Sequence, residues 1–156
     1  MRTWEGWLYL AVLIDAFSRR KVVGCALAEH LRTDLPLAAL RMALATRQPA
    51  PGLIQHTDRG SRYVSAAYRA VLADHQVQAS VGRPGTAYDN AVVESFFATL
   101  KTELIDRYVW PTRQAARTAI FVFIESWYNR QRLHSTLRFR SPLQAEQDYT
   151  ALATAA

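Results

Sequence analysis

The sequence predicts one α/β domain, a mixed sheet covered by helices, and three observations lead there. Short apolar runs rich in strand formers alternate with longer segments of helical period. Their order is strand, strand, helix, strand, helix, strand, helix, helix. Half of the 156 residues are hydrophobic, enough to bury one substantial core.

Each element has a local reason. Leu8–Ile14 is nearly continuous in its hydrophobicity, as a strand buried on both faces would be. Asp15-Ala-Phe-Ser-Arg19 is a polar turn and Lys21–Leu27 resumes an apolar run, so Leu8–Leu27 reads as an antiparallel hairpin. Thr33 is placed to cap a helix with Asp34 in its first turn, Pro36 tolerated there, and a run through Leu40 and Leu44 to about Thr46. Pro49-Ala-Pro51-Gly52 ends it. Leu53–Thr57 reads as a short strand, Ser65–Asp74 as a short helix and Gln78–Val81 as another strand, followed by a loop, Gly82–Ala87, with Pro84 and Gly85. Asp89 or Asn90 caps a long helix reaching about Arg107, and Thr112–Asn129 forms the last one. The domain is assigned to residues 1–150 and the Ala-rich stretch 151–156 to a disordered tail.

Composition narrows the partners. Nineteen Lys and Arg against thirteen acids leave a net charge of +6, which suits a polyanion. The single cysteine, Cys25, lies in an apolar strand and reads as a buried structural thiol. No signal peptide and no membrane-spanning apolar run is visible, so the expected location is the cytosol, with no membrane partner. His56 and Asp58 share a strand face and could suggest zinc with His75 or His134. The absence of a cysteine pair and of regular histidine spacing argues against it.

Two segments hold most of the chemistry. In His56-Thr-Asp58-Arg-Gly60-Ser-Arg-Tyr63, Asp58 stands where a short strand gives way to a glycine-containing loop. Open α/β sheets place ligands at such strand ends, although a turn aspartate is common in itself. In Tyr88-Asp-Asn90-Ala-Val-Val-Glu94-Ser-Phe-Phe-Ala-Thr-Leu-Lys101-Thr-Glu103, helix geometry separates two faces. Val93, Phe96, Phe97, Leu100 and Leu104 form a stripe expected to face the core. Asn90, Glu94 and Lys101 form a second stripe roughly 60–100° around from it. Glu94 and Lys101 are about 10 Å apart along the axis. That is too far for a routine helix ion pair, but it suits one group on a metal and another on a phosphate. Charges on an exposed flank would look the same.

Thirty-five residues lie between Asp58 and Glu94, and the surroundings of both form a pattern. The chain resembles the retroviral-integrase-like, Asp-Asp-Glu catalytic core of bacterial insertion-element transposases, OrfB type. The resemblance runs over nearly the whole chain in four ordered motifs. Glu5-Gly-Trp-Leu-Tyr-Leu-Ala-Val-Leu-Ile-Asp15-Ala-Phe-Ser-Arg19 is similar to the second strand and its turn. The segments around Asp58 and Glu94 are similar to the second-acid motif and the glutamate helix. Tyr128-Asn129, Arg132, His134-Ser135, Leu137 and Ser141-Pro142 are similar to the C-terminal signature, with Arg138-Phe139 standing where the family usually has Gly-Tyr.

The resemblance implies a ribonuclease H-like fold and two-metal phosphoryl transfer that cuts and joins DNA strands. Asp58 and Glu94 would hold Mg²⁺ or Mn²⁺, two ions in an intact site. Lys101 and Asn90 would hold DNA near the scissile phosphate. Arg132 and His134 lie in the basic segment Arg130–Arg140 with Phe139 interleaved, which reads either as a solvated turn or as a contact to DNA phosphates. The expected partners are element ends and target DNA, and a second copy or a full-length transposase.

The family's first aspartate sits on the first strand, just before the Trp-Glu-Gly-Trp turn, where this sequence has only Met1-Arg2-Thr3. Asp15 tops a hairpin turn beyond reach of that place and Glu5 sits in the turn itself. The expectation is therefore a core truncated at its N-terminus, its first strand largely missing, with little or no strand-transfer activity in this form. A gene start set too late or a decayed element would produce it. The competing expectation is a non-catalytic DNA-binding or assembly remnant that associates with intact transposase.

Overall fold

The structure, a computed structural model, describes residues 1–16, 20–58, 60–82 and 91–154. Two short strands, β1 (Arg2–Thr3) and β2 (Gly6–Trp7), form a tight antiparallel hairpin with Thr3 opposite Gly6. Met1 extends it, its amine donating to the Leu8 carbonyl and its own carbonyl accepting from the Leu8 amide. β3 (Tyr9–Ile14) then pairs antiparallel with β4 (Val22–Ala28), with a bulge that shifts the register between Leu13 and Ile14. The helix α1 (Asp34–Arg47) follows, then β5 (Ile54–Thr57), α2 (Ala66–Asp74) and β6 (Gln78–Val81), which lies parallel to β5 in register His56 opposite Ser80.

Among the described residues the sheet is three two-stranded pairs, one of them parallel, rather than one continuous hydrogen-bonded surface. Helices cover both faces of the central β3–β4 hairpin, because its residues alternate in direction. Leu10, Val12 and Ile14 of β3, with Val22, Cys25 and Leu27 of β4, pack against a core of Phe96, Leu100, Ile120, Phe123, Ile124 and Tyr128. That core is built by α3 (Ala91–Glu103) and α4 (Arg113–Val122), which continues as a π-helical stretch, Phe123–Tyr128. On the other face Ala11, Ala26 and Ala28 meet Leu35 and Ala39 of α1. Leu13 joins the cluster that α1 shares with Tyr68 and Leu72 of α2. Gly24 makes the close approach of α1 possible. A Cβ there would lie 2.3 Å from the Ala39 carbonyl oxygen and 2.8 Å from the Ala43 Cβ.

Several expectations change. Thr33 makes no side-chain cap; its backbone is already helical, and its carbonyl accepts from the Leu37 amide. Ser65 and Thr112 do cap, accepting from the Tyr68 and Ala115 amides. Phe97 is exposed rather than core, at the rim of an apolar groove of about 220 Å³ lined by Leu8, Leu10, Leu31 and Leu100. The last described element is a helix that the sequence pattern does not announce, α5 (Pro142–Thr154). Ser141 and Gln144 start it with reciprocal bonds, Gln144 Oε1 to the Ser141 amide and Ser141 Oγ to the Gln144 amide. Glu146 fastens α5 to the hairpin through an ion pair with Lys21, at 2.7 Å, and to the end of α1 through one with Arg47, which also reaches Asp15 at 3.6 Å. Burial alone would raise the Glu146 carboxyl, but these two cations hold it below its ordinary value. Among the described residues no helix is long and apolar enough to cross a membrane.

Candidate active site

Asp58 directly follows the last residue of β5, so its carboxylate emerges at the C-terminal end of a parallel strand, and it is exposed. Its Oδ1 accepts a 2.9 Å hydrogen bond from the Gly60 amide, which fixes the side chain against its own loop. A Cβ on Gly60 would sit 2.9 Å from that oxygen and 3.3 Å from the Tyr63 ring, so the loop closes this tightly only around glycine. Tyr63 donates its amide to the Gly60 carbonyl and packs edge-on to Tyr68 at 5.6 Å. Burial, and then the negative charge of Asp58, push the Tyr63 phenol up. The Asp58 carboxylate therefore lies close enough to Tyr63 to be felt electrostatically.

A second tie lies beside the first. His56 Nδ1 and Ser80 Oγ are 3.0 Å apart across the parallel β5–β6 pair. Gly82, just after β6, donates its amide to the Thr57 carbonyl and sits against the His56 ring. Sequence reasoning misses Ser80 and sees Gly60 only as part of a loop, not as the donor to Asp58. The signal for them lies in the register of two adjacent short strands and in the Asp-x-Gly turn.

Glu94 stands exposed in the first turn of α3, where the helix dipole favours a carboxylate. Lys101 lies two turns on along the same flank and is mostly exposed, its Nζ 3.5 Å from Asp106 Oδ2. An ion pair as exposed as this one exchanges readily with another anion. Asn90 lies outside the described residues. The donors Asp58 and Glu94 are hard carboxylate oxygens, the right kind for Mg²⁺ or Mn²⁺. Among the described residues no three acids, histidines or cysteines gather as a ready-made metal site.

The two C-terminal candidates fall elsewhere. Arg132 donates from Nη2 to Thr99 Oγ1 at 3.2 Å, with its guanidinium carbon 5.7 Å from the Trp127 ring centre. At 100° per residue Thr99 lies roughly 140° around α3 from Glu94 and about 160° from Lys101, so Arg132 packs on the far side of that helix. His134 is buried, edge-on to Tyr128 at 5.2 Å, and its amide bonds the Arg140 carbonyl. Burial, then the charges of Arg132 and Arg20, lower it to about 4, so the ring is neutral near pH 7. Buried against Tyr128, the neutral imidazole braces the C-terminal loop. Asn129, of the same signature, accepts from the Val22 amide with Oδ1 and donates to the Val22 carbonyl with Nδ2, at 2.9 and 3.0 Å. It acts as a one-residue surrogate strand at the start of β4. Asp15 lies 3.6 Å from Arg47 at the end of β3.

The chain is similar to known proteins in sequence and in fold. Residues 1–87 match the family described as Integrase core domain, and residues 75–142 match a second family of the same description. The chain is 45% identical over 145 residues to the transposase for insertion sequence element IS904 of Lactococcus lactis, covering 93% of this chain and 57% of that protein. It spans about half the length of the curated relatives it matches. Among solved structures it is similar to a simian T-cell lymphotropic virus intasome chain, at TM-score 0.70 and 17% identity over 93% of this chain and 50% of that one. It is also similar to the HTLV-2 integrase catalytic core domain in complex with magnesium, at TM-score 0.66 and 16% identity over 93% and 88%. At such identities the likeness establishes the fold, that of a ribonuclease H-like integrase core.

Proposed function

This chain belongs to the integrase core domain family, and on that premise we propose that it is the catalytic core of an insertion-element transposase, cutting and joining DNA strands by metal-assisted phosphoryl transfer. Asp58 and Glu94 are its metal ligands, Lys101 and Asn90 its DNA-holding pair, and the bacterial cytosol its place of work. The observation that carries the reading is the acid pair itself. One acid stands at the C-terminal end of a parallel strand, the other in the first turn of a helix, and both are exposed. Two bound Mg²⁺ or Mn²⁺ ions would stabilise the attacking and leaving oxygens of an in-line displacement at a DNA phosphate. The chain's own contribution is placement. The Gly60 amide orients Asp58, the His56–Ser80 contact ties the strand carrying Asp58 to its neighbour, and Lys101 sets a positive charge beside Glu94 for the DNA backbone. Element ends and target DNA are the substrates, and the working form contains more than one copy.

These 156 residues supply two of the three acids that the resemblance calls for. A strand-transfer assay with Mn²⁺ and oligonucleotides carrying the element's terminal inverted repeats tests the reading. The chain alone is expected to give little or no joining, and Asp58→Asn or Glu94→Gln to remove what remains. Robust joining that survives both substitutions contradicts the assignment. A second reading, a non-catalytic module that associates with intact transposase, is favoured by the lack of a three-ligand cluster among the described residues. It predicts that added chain slows joining by the intact protein in the same assay.

A further inference from the structure

The loop His134–Arg140 holds two consecutive non-glycine residues in the left-handed region, Arg138 at φ 54° and Phe139 at φ 57°. Such conformations are disfavoured for residues with a Cβ, and more so for a bulky ring, so the surrounding bonds must impose them. Four do. The Arg138 amide donates to Ser135, Phe139 to His134, Arg140 to Leu137, and His134 back to Arg140, at 2.9 to 3.2 Å. The loop stands on two buried residues, His134 and Ser141, and Arg140 is braced by Asp148 at 2.8 Å.

What this hydrogen-bonded loop presents is an exposed aromatic side chain. Phe139 is 72% exposed, and among the described residues its ring meets no other aromatic ring. The segment that carries it is basic in sequence, with exposed Arg130 and Arg138 and half-buried Arg132. An exposed phenyl among arginines fits a nucleic-acid strand, whose bases stack on the ring while its phosphates meet the guanidiniums. Entering a duplex stack requires a base step to be opened, whereas an unpaired base offers its face without that cost. Arg132, on the same segment, packs behind α3, away from the flank that carries Glu94 and Lys101.

We propose that Phe139 is the stacking platform of a second DNA site, one that takes single-stranded DNA or an unpaired terminal base, separate from the acid pair. The inference rests on the DNA-acting reading of the chain. Its test compares binding of fluorescein-labelled dT12 and of a 12-base-pair duplex, at one salt concentration, by the wild-type chain, Phe139→Leu and Phe139→Trp. Melting temperature and sedimentation are followed for all three. Phe139→Leu keeps the apolar bulk and loses the π-face. It is expected to weaken dT12 binding by about fivefold to a hundredfold, with duplex affinity within about twofold and Phe139→Trp near wild type. Leu binding dT12 as tightly as wild type overturns the inference and leaves the DNA-acting reading standing. Equal losses on dT12 and duplex, or a change in association state, likewise overturn it, the latter in favour of a protein partner. A wild-type chain that binds neither DNA overturns both.

Discussion

Single residues in this core carry opposite kinds of strain and protection. Arg138 occupies a left-handed position that costs an L-residue about 1–2 kcal/mol. Glycine would remove that cost and add about 0.5–1 kcal/mol of unfolded-state entropy. Arg138→Gly is therefore expected to raise stability by about 0.5–1 kcal/mol, read as a shift in the urea midpoint at unchanged slope. His134 works the other way. Its ring is lowered to about 4 in the folded chain against an ordinary value of 6.5, so between those pH values the unfolded state binds more protons. Stability should be fullest above pH 6.5, fall as pH drops toward 4, and lose part of that slope in His134→Gln. Denaturant titrations at pH 7, 6, 5 and 4 read this, and an unchanged slope in the variant would contradict a buried neutral histidine.

At the level of elements, β4 depends on Asn129. That side chain supplies both a donor and an acceptor to Val22, and both residues are buried. Asn129→Asp keeps the acceptor, loses the donor and buries a charge, so it should cost more than the roughly 1–3 kcal/mol of one unsatisfied carbonyl. Thermal melts of Asn129→Asp and Asn129→Ala check it, the aspartate expected to be the worse of the two. Four of the strands, β3 to β6, and four of the helices are legible in the sequence because apolar runs and helical period mark them locally, whereas nothing in the pattern announces β1 and β2. Gln78–Val81 has the same bounds in sequence and structure. α5 escapes notice although Ser141-Pro-Leu-Gln144 is a capping box with proline at the first helical position, because Ser141-Pro142 reads first as part of the family signature. Phe97 is misplaced by its helical stripe, which gives direction, while exposure depends on what lies opposite. Asp58 and Glu94 can be named from spacing and motif. The roles of Asn129 and His134 cannot, since both depend on contacts across the fold.

The whole molecule joins a helix-covered hairpin, a parallel strand pair ending in Asp58, and a helix beginning near Glu94. The central claim is that these two acids act together on a divalent cation. The most direct measurement is paramagnetic broadening of backbone NMR resonances on titrating Mn²⁺ into the 156-residue chain, in wild type, Asp58→Asn and Glu94→Gln. Sub-stoichiometric Mn²⁺ is predicted to broaden the Asp58–Gly60 loop and the first turn of α3 together. Either substitution should weaken both effects. Broadening at only one of the two places, or broadening of both that survives both substitutions, would contradict the claim.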